Sequence, residues 1–330
     1  MSFKICVVGC GGIATEQHGP AIKLYMETNP GVEFAGCCDP DEARARAFKE
    51  KFGVTDYFTC MDTMLETIKP QAVCLMAPEA LTDKLSRSIM SKGYPLILEK
   101  PPGLTREENI RMADCAKASN IPNLVAFNRR YMPLVAKAMR MIDSWGGPGC
   151  IMDIQYRMMR VARREADFST TAIHGIDLVK YIAGAPYKYV NMKYNDLPKY
   201  GETIANYHLY GETENGIIVH LDFLPMSGSK TERVEINTHR GHISLHLPIG
   251  GGPDEKGLLV YANGKETHTQ SGVEIAGSGA GFVLNGFYHE NAVFFDDVRA
   301  GRKPAGDIAT GLQAVEIADC VSKRLSEYRA

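Results

Sequence analysis

The chain lacks the features that mark membrane, secreted and nucleic-acid-binding proteins. None of its apolar runs approaches the ~20 residues that a membrane-spanning helix needs, and no charged leader precedes an apolar segment at the N-terminus. The formal net charge is −2 and no long basic block is present, so neither nucleic acid nor an acidic membrane surface is indicated as a partner. We therefore expect a cytoplasmic protein without a signal peptide.

The cysteines lack the spacing of a metal or redox site. The nine cysteines include no Cys-x-x-Cys pair, their number is odd, and several of them, such as Cys6, Cys37, Cys38 and Cys74, stand in apolar runs. This pattern favours buried free thiols in a reducing compartment.

A group of three histidines is the other candidate for a metal site. His239, His242 and His246 lie close together in the sequence, but Arg240-Gly241 between them predicts a hairpin turn that would spread them over two strands. No carboxylate stands at a zinc-ligand spacing from them, so no metal site is predicted.

The first 127 residues alternate short apolar runs with helical stretches. The predicted strands are Lys4–Val8, Val32–Cys38, Ala72–Met76, Leu96–Leu98 and Asn123–Phe127. The predicted helices between them are Asp41–Lys51, Ala80–Lys92 and Thr105–Ser119. Nearly continuous apolar strands that alternate with helices indicate an α/β domain with a doubly wound parallel sheet.

After Arg130 the pattern changes to successive strands with short turns. The predicted strands are Cys150–Val161, Val190–Tyr194, Ile204–Leu209, Ile217–Phe223, Glu232–Asn237 and His242–Leu247. The predicted helices are Tyr131–Asp143, Thr171–Ile182, Glu290–Ala300 and Asp307–Glu327. Asn215-Gly216 predicts a hairpin, and the succession indicates a mostly antiparallel sheet with helices. We expect two domains, residues 1–123 and 124–330.

A glycine motif follows the first predicted strand. In Gly9-x-Gly11-x-x-Ala14 the glycines allow a tight turn and a close approach of the backbone to a pyrophosphate at a helix N-terminus. Asp39 ends the second strand, where its carboxylate would accept hydrogen bonds from ribose hydroxyls and repel a 2′-phosphate, which favours NAD over NADP. Asp39 could instead serve only as a helix N-cap beside Pro40.

A charged pair, Glu99-Lys100, emerges from the apolar strand Leu96–Leu98 and is followed by two prolines. Ligands of open α/β sheets bind at the carboxyl ends of the strands, where Lys100 stands. There it could hydrogen-bond a substrate hydroxyl and the nicotinamide ribose, with a pKa low enough for proton transfer. The alternative is a surface lysine paired with Glu99.

His174 is the second candidate for chemistry. It stands on the predicted helix Thr171–Ile182, where a lone histidine is more often structural than functional. Asp177, one turn later on the same helix surface, could orient or charge it.

Five segments together resemble a known family. They are Gly9–Ala14, Cys38–Asp41, Glu99–Pro101, Phe127–Tyr131 and His174–Asp177, in this order. The chain resembles the glucose–fructose oxidoreductase and inositol dehydrogenase (Gfo/Idh/MocA) family of NAD(P)-dependent sugar and cyclitol oxidoreductases. The resemblance implies a Rossmann domain, an open-faced and mostly antiparallel sheet domain, and an active site between them. It also implies dimers or tetramers that assemble through the sheets.

The resemblance also implies residue roles. Lys100 and His174 would be the catalytic pair. The expected cofactor-binding residues are Gly9, Gly11, Gly12, Ile13, Asp39, Ala77, Pro78, Glu99, Lys100 and Asn128. The expected substrate-binding residues are Arg129, Arg157, Thr170 and Asp177. Arg157 belongs to a dense group with Arg160, Arg163 and Arg164 that could meet an acidic sugar or simply be solvated.

The chain departs from the family pattern at Thr170, where the family often has an aspartate four residues before the histidine. Either His174 acts without that carboxylate, or Asp167 replaces it, or hydride chemistry has been lost. We expect an NAD(H) oxidoreductase that transfers a hydride between the nicotinamide and a carbinol carbon of a sugar, sugar acid or cyclitol. The alternative is a non-enzymatic regulator that senses the dinucleotide.

Overall fold

A computed structural model describes residues 2–165, 167–249 and 257–330. The chain forms two compact units, one of Met1–Asn128 with Gly286–Val315 and the other of Arg129–Asn285 with Glu316–Ala330. The first unit extends beyond the predicted boundary at residue 123 and includes a later segment of the chain. The strand Asn123–Ala126 pairs within the first sheet, and the later helix Phe287–Arg299 returns to the first unit.

The first unit contains a parallel sheet, as predicted, but its described residues form six strands rather than the five predicted, because the short strand Asp56–Phe58 was missed. The strands are β1 (Phe3–Val8), β2 (Val32–Cys38), β3 (Asp56–Phe58), β4 (Ala72–Leu75), β5 (Leu96–Glu99) and β6 (Asn123–Ala126). Their order is β3-β2-β1-β4-β5-β6, and every neighbouring pair is parallel. Because β1 lies between β2 and β4, the winding direction changes at the end of β1, which is where doubly wound sheets bind ligands.

Helices connect the strands of this sheet. They are α1 (Gly19–Thr28), α2 (Glu42–Phe52), α3 (Met61–Ile68), α4 (Glu79–Ser91) and α5 (Arg106–Ala118). Local sequence explains several ends: the Asp41 carboxylate accepts hydrogen bonds from two amides at the start of α2, and Gly53 ends α2 with a left-handed φ of 68°. At α5 the Thr105 hydroxyl accepts a hydrogen bond from the backbone amide of Glu108 and so caps the helix.

The described residues of the second unit form a sheet of nine strands. The strands are β7 (Ile151–Met159), β8 (Tyr187–Asp196), β9 (Ala205–Thr213), β10 (Ile218–Leu224), β11 (Thr231–Thr238), β12 (His242–His246), β13 (Leu258–Ala262), β14 (Lys265–Gln270) and β15 (Glu327–Arg329). Their order is β14-β13-β12-β11-β7-β10-β9-β8-β15, and only the β7–β10 pair is parallel. The hairpin at Asn215-Gly216 joins β9 and β10, as predicted.

The remaining helices are α6 (Pro133–Ser144), α7 (Ser169–Ala183), α8 (Gly272–Ala276), α9 (Gly281–Leu284), α10 (Phe287–Arg299) and α11 (Leu312–Ser322). The predicted closing helix Asp307–Glu327 is too long at both ends. It starts only at Leu312, and Arg324 adopts a left-handed φ of 56°, after which the chain continues as β15.

The nine-stranded sheet has two different faces. Helix α7 covers one of them, where Gly175 lies so close to Tyr156 that an added Cβ would fall 2.2 Å from the ring. Side chains alternate along a strand, so Arg157 points to the opposite face. His220 and Asp222, which lie beside β7 in register with Gln155 and Arg157, share that second face.

Two further predictions concern the whole chain. All nine cysteines are free thiols, and most of them are buried, as the sequence indicates. Among the described residues, no helix combines the length and the apolar character that crossing a bilayer requires.

Candidate functional site

The glycine turn follows β1 at the carboxyl edge of the parallel sheet. Gly9 has a φ of +93°, and a Cβ there would lie 2.3 Å from the carbonyl oxygen of Met76, so only glycine fits against β4. Gly11 and Gly12 differ, because no atom of the described residues lies within 4 Å of an added Cβ at either position. The turn is therefore fixed by Gly9 and leaves open space over Gly11 and Gly12, where a side chain would obstruct a ligand.

Asp39 is attached to this turn through its carboxylate. One oxygen accepts a hydrogen bond from the amide of Cys10 and the other from the amide of Asp41, both at 2.9 Å. The N-cap of α2 is Asp41 rather than Asp39. A carboxylate oxygen can accept more than one hydrogen bond, so buried Asp39 retains acceptor capacity for ribose hydroxyls.

A cavity of about 540 Å³ opens beside these groups. Its wall combines the glycine turn and Asp39 with Ala77 and Pro78 after β4, while Met61, Leu81 and Leu85 add apolar surface. Backbone amides at a turn, an acceptor for hydroxyls and an apolar wall suit the pyrophosphate, ribose and adenine of a dinucleotide. The residues present therefore fit an NAD-type cofactor.

The adjoining strands carry the other residues expected near the cofactor. Glu99 ends β5, Lys100 follows it, and Asn128 comes directly after β6. Because β5 and β6 are parallel to β1 and β4 in one sheet, these residues share its carboxyl edge with the glycine turn. The structure thus brings the predicted cofactor-binding residues to one edge.

Lys100 is connected to a buried hydrogen-bond network. Its amide donates to Glu99, whose second carboxylate oxygen lies 2.9 Å from Nε2 of fully buried His18. The side-chain amide nitrogen of Asn291, Nδ2, lies 2.9 Å from His18 Nδ1 and 2.7 Å from the backbone carbonyl oxygen of Phe287. The carbonyl can only accept, so the Asn291 amide donates to Nδ1, and Nε2–H of His18 donates to Glu99.

Helix α7 carries the other candidate residues. Thr170, His174 and Asp177 have the spacing that places side chains on one helix face, and His174 is half-buried. Asp177 is buried and accepts two hydrogen bonds from the Arg130 guanidinium, one from Nε at 2.7 Å and one from Nη2 at short range. Its carboxylate therefore holds Arg130 in place, and its role in binding a polyol stays a prediction.

Asp167, the possible substitute for the missing carboxylate, has other partners. One of its oxygens accepts from the amide of Ser169 at 2.8 Å, and the other accepts from the hydroxyl of Ser322 at 2.9 Å. These contacts tie the start of α7 to the end of α11. The hypothesis that Asp167 reaches His174 gains no support from them.

Comparison with known proteins gives the family. Residues 3–127 match the family model GFO_IDH_MocA, described as an oxidoreductase family with an NAD-binding Rossmann fold. These residues belong to the GFO/IDH/MocA oxidoreductase family. Three of the five segments that suggested the family from the sequence lie wholly within these residues: Gly9–Ala14, Cys38–Asp41 and Glu99–Pro101.

Individual relatives are distant. D-glucoside 3-dehydrogenase of Escherichia coli (strain K12) is 26% identical over 129 residues, which are 39% of this chain and 36% of the relative. Inositol 2-dehydrogenase 1 of Saccharopolyspora erythraea is 22% identical over 278 residues and 80% of each chain. The first four curated relatives are matched over only 36–43% of their own length.

A solved structure of levoglucosan dehydrogenase in complex with NADH aligns with a TM-score of 0.85 at 18% identity. The alignment covers 100% of this chain and 99% of that chain. At this identity the likeness establishes the fold alone and leaves the substrate open.

Arg129 is buried in a charge cluster of the second unit. Its guanidinium donates two hydrogen bonds to fully buried Glu232, which also accepts from Arg160 and from the hydroxyl of Tyr156. Burial by itself would raise the pKa of Glu232, but the two guanidinium groups and the Tyr156 hydroxyl outweigh it and lower the pKa to about 2. Arg129 thus has a structural partner that the sequence did not reveal.

Arg157 does not share a site with His174. It donates to Asp222 at 2.8 and 3.1 Å on the sheet face opposite α7, so it lies away from His174, and its role in binding a substrate stays a prediction. The dense arginine group is likewise dispersed, because Arg160 pairs with Glu232 and Arg163 with Glu165.

Sequence reasoning missed several polar residues with defined partners. His18 and Asn291 gave no signal, because their shared network joins segments far apart in the chain. His208 and Asp222 are different, since they stand at equal distances from Asn215 of the predicted hairpin and pair across it. That symmetry could have revealed their contact.

Proposed function

We propose that this protein is an NAD(P)-dependent oxidoreductase that moves a hydride between C4 of the nicotinamide and a carbinol carbon of a sugar, sugar acid or cyclitol. One observation carries the proposal: Lys100 stands on the same carboxyl edge as the glycine turn and Asp39. A regulator that only senses a dinucleotide would have no need for a lysine there. The dehydrogenase names of the distant relatives support the substrate class.

The cofactor would be held by the residues around the cavity. The backbone of Gly11 and Gly12 admits the pyrophosphate, Asp39 accepts the ribose hydroxyls, and Ala77 and Pro78 border the adjoining surface. When bound, the nicotinamide would supply or accept the hydride. NAD is the preferred form, because the Asp39 carboxylate would repel a 2′-phosphate.

Lys100 and His174 carry the remaining chemistry in this proposal. Oxidation of an alcohol removes its hydroxyl proton as the hydride leaves, so a base and a group that stabilises negative charge on oxygen are needed. His174 would take the proton. Lys100 would donate a hydrogen bond to the same oxygen, and the chain from His18 through Glu99 fixes the backbone that carries Lys100.

A screen for turnover tests the proposal. The purified protein is mixed with NAD⁺ or NADP⁺ and a panel of sugars, sugar acids and cyclitols, and the absorbance of the reduced cofactor is followed. With a substrate found, Lys100→Met should lower turnover by at least ~100-fold, the usual scale for one acid–base group, while NADH binding stays near normal. Lys117→Met, an exposed lysine on α5, is the matched control and should be unaffected.

His174→Asn gives an independent second arm. Oxidation by the native protein should increase as pH rises through one ionisation within about a unit of the ordinary histidine value of ~6.5, because the base must be neutral. This increase with pH should disappear in His174→Asn. It should persist in the control variant His239→Asn, because His239 is an exposed histidine outside the proposed site. If NADH binds tightly but no panel compound reacts, the sensing function replaces this proposal.

A further inference from the structure

We propose that His208, His220 and Asp222 bind a divalent transition-metal ion such as Zn²⁺ on the face of the nine-stranded sheet opposite α7. Strands β9 and β10 are antiparallel, and their register sets His208 directly across from Asp222. His220 precedes Asp222 by two positions on β10 and therefore points to the same face. The hairpin alone assembles the three side chains.

Their donor atoms converge. Nδ1 of His208 lies 2.6 Å and Nε2 of His220 lies 3.3 Å from the same oxygen, Oδ1 of Asp222. The three candidate ligand atoms all lie within 4.8 Å of one another. Zinc binds nitrogen and oxygen at about 2.0–2.2 Å, so an ion among these atoms would need small side-chain rotations and would displace the proton that joins His208 Nδ1 to Asp222. Two imidazoles and one carboxylate form a donor set suited to zinc.

The second oxygen of Asp222 is already occupied. Arg157 donates to Oδ2 from Nη2 at 2.8 Å and from Nε at 3.1 Å, which orients the carboxylate and leaves Oδ1 facing the histidines. Partners of this kind commonly orient metal ligands.

Space remains for a fourth ligand. A cavity of about 320 Å³ adjoins His220 and Asp222 and is bordered by Gln155, Thr231 and Glu235. Three protein ligands and an open position filled by water form a common arrangement for zinc. The positive charge of Arg157 repels a bound cation, so the site should bind Zn²⁺ more weakly than a similar site without that arginine.

Titration of metal-free protein with Zn²⁺ in a calorimeter tests this site without reference to enzyme activity. One ion should bind per chain, and His208→Gln or His220→Gln should weaken binding by about 100-fold or more, beyond the range typical of residues that only orient a ligand. Both side chains are over a third exposed, at 38% and 43%, so the variants should fold, which thermal melting checks. His242→Gln, which removes a histidine bonded to Glu235 on the same sheet, is the matched control.

Two further results decide the proposal. Arg157→Gln keeps a hydrogen-bond donor near Asp222 but removes the charge, so it should tighten Zn²⁺ binding. Zn²⁺ binding that is equally strong in the double variant His208→Gln/His220→Gln, or no binding by the native protein, would overturn the site and leave two histidines that merely share a carboxylate.

Discussion

At the scale of residues, two buried aspartates show how partners determine a role. Asp39 accepts hydrogen bonds from two backbone amides, which fix its position and leave acceptor capacity for a ligand. Asp177 instead accepts two hydrogen bonds from the Arg130 side chain. We therefore propose that Asp39 binds the cofactor, whereas the contact that defines Asp177 is its ion pair with Arg130.

Asp39 should determine the choice of cofactor. NADH should bind more tightly than NADPH, and Asp39→Asn should narrow the difference because it removes the charge but keeps an acceptor oxygen. Arg44, whose Nε lies 3.7 Å from Asp39, should have the reverse influence, so Arg44→Gln should widen the difference. Calorimetry with both reduced cofactors measures this. Tighter binding of NADPH by the native protein would refute the preference.

Glu232 should make stability depend on pH in acid. Its pKa is lowered from an ordinary 4.5 to about 2, so its contribution is present above pH ~4.5 and is lost as pH falls towards 2. Glu232→Gln leaves two buried arginines without their counter-charge and should cost about 3–5 kcal/mol at neutral pH. The difference in unfolding free energy from the native protein should shrink in acid, whereas the exposed Glu266→Gln should show no such trend.

At the scale of elements, a continuous or alternating apolar pattern predicted most of the strands. β5 illustrates this, because Leu96, Ile97 and Leu98 are all fully buried. β14 was missed since all but one of its side chains are exposed, which leaves no apolar alternation. β15 was missed because the chain leaves α11 at a left-handed residue and pairs with the distant β8.

The residues of the candidate site also differ in how far the sequence could predict them. Lys100 could be predicted because a buried strand ends directly before it. The partnership of Arg129 with Glu232 could not, since the two residues are 103 positions apart and no local pattern connects them. Periodicity and turn chemistry are local signals, so they predict where a side chain stands better than which group it contacts.

The network of His18, Glu99 and Asn291 should couple three elements: the helical segment before α1, β5 and α10. His18→Ala and Asn291→Ala should each destabilise the protein by about 1–3 kcal/mol, because buried polar groups lose their partners. The double variant should lose less than the sum, with a coupling energy of about 0.5–3 kcal/mol from denaturant unfolding. Thr67→Ala, exposed on α3, should be additive with Asn291→Ala.

At the scale of the whole molecule, the chain joins a parallel sheet with dinucleotide-binding features to a nine-stranded sheet that α7 covers on one face. Assembly into dimers or tetramers through the sheets remains a prediction from the family resemblance. The proposed metal site lies on the face opposite α7. If copies associate there, the ion would lie at their contact, and removing it should change the oligomeric state.

Direct transfer of hydrogen from the cofactor is the central claim, and isotope labelling tests it most directly. NADH doubly deuterated at C4 is incubated with the protein and the oxidised forms of the panel compounds, and the products are analysed by mass spectrometry. We predict one deuterium on the carbon that gains the hydroxyl, and its loss to background in Lys100→Met. Product formed without deuterium, or tight NADH binding with no product from any compound, would contradict the account.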